Sequence, residues 1–217
     1  MIIVFAKAPV PGHAKTRLIA RLGAWGAARL QARLTAAALR TAHGARCGPV
    51  ELHVTARHAL FKGDVHLQRG ANLGERMQRA FSSALQRHRP VILMGSDCPT
   101  LRPADLRRAA RWLRGGCDAV LAPAEDGGYA LIGMNRMLPR IFERIPWGEP
   151  GVYAATTARL AGHRWRALQT VWDVDRPADL DRLRSLRLPS AARPGARQSR
   201  GSRGRSGGPR RTSGSRP

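Results

Sequence analysis

Apolar positions along this chain fall into two patterns. Met1 to Phe5, Pro90 to Met94, Ala119 to Ala122 and Ala130 to Met134 are short apolar runs, as expected of strands buried in a sheet. Val50 to Thr55 also reads as a strand, and shorter ones are predicted at Val65 to Gln68 and Ala167 to Val171. Between them, leucine and alanine recur at helical spacing from Arg17 to Ala42, with a break near Gly23. Further helices are predicted from Leu73 to Arg87, with Asn72 as N-cap, and from Pro103 to Leu113, with proline in the first turn. Two more are predicted from Val152 to Ala161 and from Pro177 to Leu186.

Strands alternating with helices imply an α/β domain, with a mostly parallel sheet covered by helices on both faces. Right-handed crossovers then bring the loops that follow the strands to one edge, where such sheets bind ligands. Four turns should meet there: Ala6 to Arg17, Gly95 to Pro99, Glu125 to Tyr129 and Asp173 to Pro177.

Composition adds an appendage to this domain. From Pro189 to Pro217 the chain is almost wholly Arg, Ser, Gly and Pro, too poor in apolar side chains to offset its ordering entropy. The domain organisation is therefore a folded unit over 1–188 and a disordered basic tail over 189–217. The formal charge is +24, and all 14 acidic residues lie between Glu51 and Asp181. Of the 38 basic residues eight are arginines of the tail, so the folded part keeps 30 against 14 acids. Such a surface attracts phosphates and makes non-specific nucleic-acid contact. The aromatic content is only 5% and is not interleaved with the basic stretches, which argues against a stacking platform for single strands. The apolar start is interrupted at Lys7 and by two prolines, too early for a signal peptide or a membrane span, so a cytoplasmic protein is expected. Cys47, Cys98 and Cys117 form no CxxC pair, and the seven histidines are scattered, none three or four residues from another.

The candidate chemistry lies in the turns. In the first, "FAKAPVPGHAKTRL", Pro9 and Ala14 occupy the places where a Walker A loop needs glycine, leaving Lys7, Lys15 and Arg17 as a cationic loop. Asp97, at the mouth of a buried strand, is either a ligand for a hard divalent cation or a cap of the next turn. Asp173 and Asp175 stand two apart at another strand end and so share a side. Asp179 and Asp181 read as first-turn helix charges. Asp126-Gly127-Gly128-Tyr129 is either a tight turn between strands or a place where a ligand meets backbone, with Asp126 or Glu125 as base or sugar contact. "QRGANLGERM" carries Gln68 and Gly74 around a helix start suited to contact with a base or phosphate.

In this order, "FAKAPVPGHAKTRL", "QRGANLGERM", "VILMGSDCPTL", "LAPAEDGGYALIGM", "IPWGE" and "VWDVDRPADL" resemble a family of bacterial nucleotide-diphospho-sugar-transferase-like proteins, the DUF2064 type, over Met1 to about Leu186. The resemblance implies a single-domain GT-A fold. The wider superfamily holds glycosyltransferases and nucleotidylyltransferases, including proteins similar to phospholactate guanylyltransferase and molybdenum-cofactor nucleotidyltransferases. On this resemblance Asp97 and Asp175 would hold Mg²⁺ or Mn²⁺, Lys15, Arg17 and Asp126 would serve catalysis, and Lys7, Gly12, Gln68, Gly74, Gly127, Gly128 and Tyr129 would contact substrate. The expected activity is glycosyl transfer from a nucleotide sugar to an acceptor. The alternative is nucleotidylyl transfer from an NTP to a phosphorylated metabolite, with release of pyrophosphate; a third reading, of a different class, is a nucleic-acid-binding protein that acts through the basic tail.

Overall fold

The computed structural model describes residues 1–186, so the domain end at 188 and the basic tail over 189–217 lie outside the described residues. Seven strands form one sheet: β1 (Ile2–Ala6), β2 (Val50–Val54), β3 (Val65–Leu67), β4 (Val91–Gly95), β5 (Ala119–Pro123), β6 (Tyr129–Met134) and β7 (Trp165–Ala167). Their order is β3-β2-β1-β4-β6-β5-β7. The helices are α1 (Ile19–Ala45), α2 (Leu73–Leu85), α3 (Pro103–Arg114), α4 (Val152–Ala158) and α5 (Asp179–Ser185), with single 3₁₀ turns at Thr16–Leu18 and Pro139–Phe142. None of the described helices is long and apolar enough to cross a membrane.

β1 explains the layering. Ile2, Val4 and Ala6 face one side and Ile3 and Phe5 the other, because successive strand residues alternate. The first set packs with Leu52, Val54, Ile92 and Met94 under Ala38 and Ala42 of α1 and Leu106 and Leu113 of α3. The second packs with Leu93 and Ile132 under Met77 and Phe81 of α2, and with Phe142. Both faces of the sheet are therefore covered.

All strands but β6 run in one direction; β6 is antiparallel to β4 and β5. The cause is local: Ala124 to Gly128 joins β5 to β6 as a tight hairpin with no crossover helix. Gly23, at φ 68 and ψ 164, breaks the first turns of α1 where the sequence pattern placed a break. The last strand differs from expectation. It covers Trp165–Ala167, and Val171 touches Ala124 through a single bridge, because Pro123 has no N–H with which to continue the ladder.

Candidate active site

A cleft of about 710 Å³ opens where β1, β4 and the β5–β6 hairpin end. All four turns reach it, through Lys7, Lys15 and Arg17, then Ser96 and Asp97, then Asp126, Gly128 and Tyr129, then Asp173 and Asp175. Packing explains the convergence. Leu18, just after the cationic loop, and Val174, between the two aspartates, are fully buried with Leu30, Leu34, Trp172 and Leu183 in one small cluster. The Val174 N–H donates to the Asp97 carbonyl at 3.0 Å, and the Ser96 N–H to the Phe5 carbonyl at 3.0 Å. Apolar anchors thus hold the charged residues beside one another.

Lys15 adopts the left-handed conformation, with φ 49 and ψ 47. Its ammonium lies 2.7 Å from Asp97 Oδ2; the lysine side chain is 3% exposed, whereas Asp97 still shows 40% of its side chain to the cleft. Asp97 Oδ1 accepts from the Ser96 hydroxyl at 2.9 Å, and Gln31 of α1 donates to that hydroxyl at 3.0 Å. Burial alone would raise the Asp97 pKa, but the charge and hydrogen bond of Lys15, with Ser96 and Lys7 behind them, hold it below the ordinary value. Arg17 pairs with Asp175 in the same way at a more exposed position. Two of the three cations expected to face phosphate are therefore engaged with the two carboxylates expected to face metal.

The charge census of the cleft is unlike that of the chain. Lys7, Lys15, Arg17, Arg76 and Arg176 face Asp97, Asp126, Glu149, Asp173 and Asp175, five of each sign in a protein of formal charge +24. Asp173, paired with Asp175 in the sequence but given no role of its own there, is pushed up to about 6, first by burial and then by the charge of Asp126. At Cys98 burial, then Asp97 and Asp173, raise the thiol well above the ordinary value, which disfavours the thiolate.

The remaining expected residues separate into cleft and support. Gln68 lines the cleft and fixes its floor, its amide donating to the carbonyls of His53 at 2.9 Å and Ala6 at 3.2 Å. Asp126 accepts from the Gly128 N–H at 2.9 Å, which shapes the hairpin tip. Tyr129 meets Trp147 edge-on, the ring centroids 6.4 Å apart. Glu125 turns toward α5, where Arg182 grips both its oxygens at 2.7 and 3.0 Å while lying over the Trp172 ring. Gly12, Gly74 and Gly127 do not line the cleft. Gly74 instead seats Trp147, whose Nε1 would lie 2.4 Å from a Cβ at that position. Gly127 lies against Pro150 and Gly151, its carbonyl accepting from the Tyr153 N–H at 2.9 Å. Asn72 caps α2, as its place in the sequence suggested, and Asp179 accepts from the N–H groups of Asp175 and Arg176.

Among the described residues, the cleft carboxylates do not bring three donor atoms within 4.8 Å of one another. Asp97 and Asp175 are oxygen donors of the kind that hard ions such as Mg²⁺ or Mn²⁺ take, one or two carboxylates with phosphate oxygens and water completing the shell, and each is paired with a cation of the first loop.

The model of the family described as "uncharacterized protein conserved in bacteria (DUF2064)" matches residues 47–149. A candidate nucleotide-diphospho-sugar transferase from Desulfovibrio desulfuricans G20 superposes with a TM-score of 0.75 at 33% identity, covering 84% of each chain. A nucleotidyl transferase from Methanothermobacter thermautotrophicus shares the fold at a TM-score of 0.60 and 18% identity, over 85% of this chain and 96% of its own. A manganese complex of Rv0371c from Mycobacterium tuberculosis H37Rv does so at 0.54 and 20%, over 85% and 98%. No curated protein matches the chain.

Proposed function

The chain belongs to the DUF2064 family of bacterial nucleotide-diphospho-sugar-transferase-like proteins, and from that premise we propose that it is a metal-dependent transferase that binds a nucleotide sugar in the strand-end cleft and passes the glycosyl group to an acceptor. The observation that carries this reading is the balanced charge of the cleft in a chain otherwise crowded with arginine. A ligand consisting of a diphosphate and its cation needs both signs at once. Among the described residues Lys7 has no ion-pair partner, so it is the first cation open to an incoming phosphate. Lys15 and Arg17, held at the cleft by Asp97 and Asp175, are placed to stabilise charge developing on the departing diphosphate. Asp97 and Asp175 would hold Mg²⁺ or Mn²⁺, which would supply further neutralisation of that leaving group. The manganese complex of the same-fold mycobacterial protein supports such an ion. Gly128, Tyr129 and Trp147 give the sugar and acceptor a wall of backbone and aromatic surface, with Asp126 beside them as the acid–base group.

The test is product identification. The full chain is incubated with Mg²⁺ or Mn²⁺ and a panel of nucleotide sugars and nucleoside triphosphates, after a thermal-shift screen for ligands that need the metal. Release of a nucleoside diphosphate from a sugar donor is expected. Pyrophosphate release would instead assign nucleotidylyl transfer, the chemistry named for the same-fold archaeal protein. A screen with no metal-dependent nucleotide shift, unchanged by Asp97→Ala, would remove the enzyme reading.

A further inference from the structure

Beside the cleft, on the sheet face that packs against α2, a second polar cluster has no part in the proposed reaction. Glu51 and His53 stand two apart in β2 and share a face, and the parallel register sets His66 of β3 beside His53. Phe5, His53 and His66 stack in a row, with ring centroids 5.6 and 5.0 Å apart. Glu51 is 2% exposed. Its Oε1 accepts from Arg87 at 2.9 Å, and its Oε2 turns to the imidazoles, 3.0 Å from His53 Nε2 and 3.9 Å from His66 Nε2. The donor atoms of Glu51, His53 and His66 all lie within 4.8 Å of one another.

We propose that Glu51, His53 and His66 form a binding site for a divalent transition ion of the zinc type, distinct from the cleft. A tetrahedral ion with bonds of about 2.0–2.1 Å sets its donors roughly 3.4 Å apart, and the separations of 3.0 and 3.9 Å from Glu51 Oε2 straddle that spacing. Two imidazoles and one carboxylate select zinc-type ions over magnesium, which prefers oxygen donors. Arg87 acts as the outer partner that fixes the carboxylate while leaving one oxygen free. Burial favours the neutral form of His53, the form that ligates. The entrance is the partly exposed His66, whose Nε2 is 2.8 Å from Asp64 Oδ1, and the fourth position is left to water. On uptake a neutral imidazole that turns Nε2 to the ion keeps its one proton on Nδ1. The ion would tie the short edge strand β3 to β2 just before Gln68, which carries the constraint to the cleft floor.

The experiment uses full-length, tag-free protein stripped with chelator and titrated with Co²⁺ in excess Mg²⁺, which occupies oxygen-only sites. Uptake of one equivalent is expected, with the intense visible absorption of tetrahedral Co²⁺, displacement by Zn²⁺ and a higher Tm. His66→Ala, at the exposed end, should keep the fold and weaken Co²⁺ binding by more than about tenfold, the lower bound already seen on losing an outer partner. Glu51→Gln should abolish the absorption bands. Absence of those bands in the wild-type chain, or equal Co²⁺ affinity in His66→Ala, would overturn the proposal.

Discussion

The strand-end cleft and the β2–β3 edge are polar sites on one sheet, assembled in opposite ways. In the cleft each charged group sits in a turn with its own sequence signature, and buried apolar anchors such as Leu18 and Val174 bring the turns together. At the edge, Glu51, His53 and His66 sit inside strands, and what joins them is the register of β2 against β3. Carboxylates in the cleft meet lysine and arginine, whereas at the edge a carboxylate meets two imidazoles and an arginine. The first set suits phosphate with a hard ion and the second a softer ion. One sheet therefore presents two donor sets, carboxylates among cations in the cleft and a carboxylate with two imidazoles at the edge.

The strongest way to break this separation is Asp97→Ala. It leaves the Lys15 ammonium, 3% exposed, without its counter-charge. Losing one partner of a buried pair costs about 3–5 kcal/mol, and the open side of Asp97 places the loss near the lower end. Denaturant unfolding should show it, and Lys15→Met with Asp97→Asn should recover most of the stability but no metal-dependent nucleotide binding. Co²⁺ uptake at the edge should be unchanged; if it disappears, the two sites are one system. Glu51→Gln is the converse. It should cost about 1–3 kcal/mol through the hydrogen bonds lost by Arg87 and His53, while nucleotide affinity in the cleft changes little.

The element order, the parallel core of the sheet and the four converging turns were all legible, because apolar runs, prolines and capping residues act locally. Asn72 and the break at Gly23 are examples. The hairpin that turns β6 antiparallel was legible only as one of two readings of Asp126 to Tyr129. Which glycines touch ligand was not legible: the demand for Gly74 comes from Trp147, more than seventy residues away in sequence. Asp173 was visible beside Asp175, but its burial next to Asp126 is a tertiary fact. The edge cluster was hidden most deeply. The i, i+2 spacing of Glu51 and His53 was the available signal, and His66 joins them only through strand register.

Asp173→Asn sharpens the cleft side at a smaller scale. A carboxyl whose pKa rises to about 6 on folding binds more protons in the native state than in the unfolded chain, where it titrates near 3.9. Ionisation thus costs stability as pH rises from the unfolded value through the folded one, and the cost is complete above about 7. In chelator-treated protein the asparagine variant should be more stable by about 1–2 kcal/mol at pH 7.5, a gain that disappears near pH 4. A gain independent of pH would mean that packing, not charge, separates Asp173 from its neighbours.

Arg17→Ala should have the smallest effect on stability and a large one on function. Its pair with Asp175 is the exposed counterpart of Lys15 with Asp97, with side chains 64% and 36% exposed. Such pairs contribute roughly 0–1 kcal/mol, so unfolding of the ligand-free protein should barely change. If Arg17 serves the diphosphate, the variant should lose nucleotide affinity or turnover by about tenfold or more, since a charge-assisted hydrogen bond is worth about 1.5–3 kcal/mol. Lys should recover part of that loss at this position by restoring the charge, although it lacks the guanidinium fork. A variant that instead loses stability and binds nucleotide normally would make Arg17 a structural partner of Asp175, leaving Lys7 and Lys15 as the phosphate cations of the first loop.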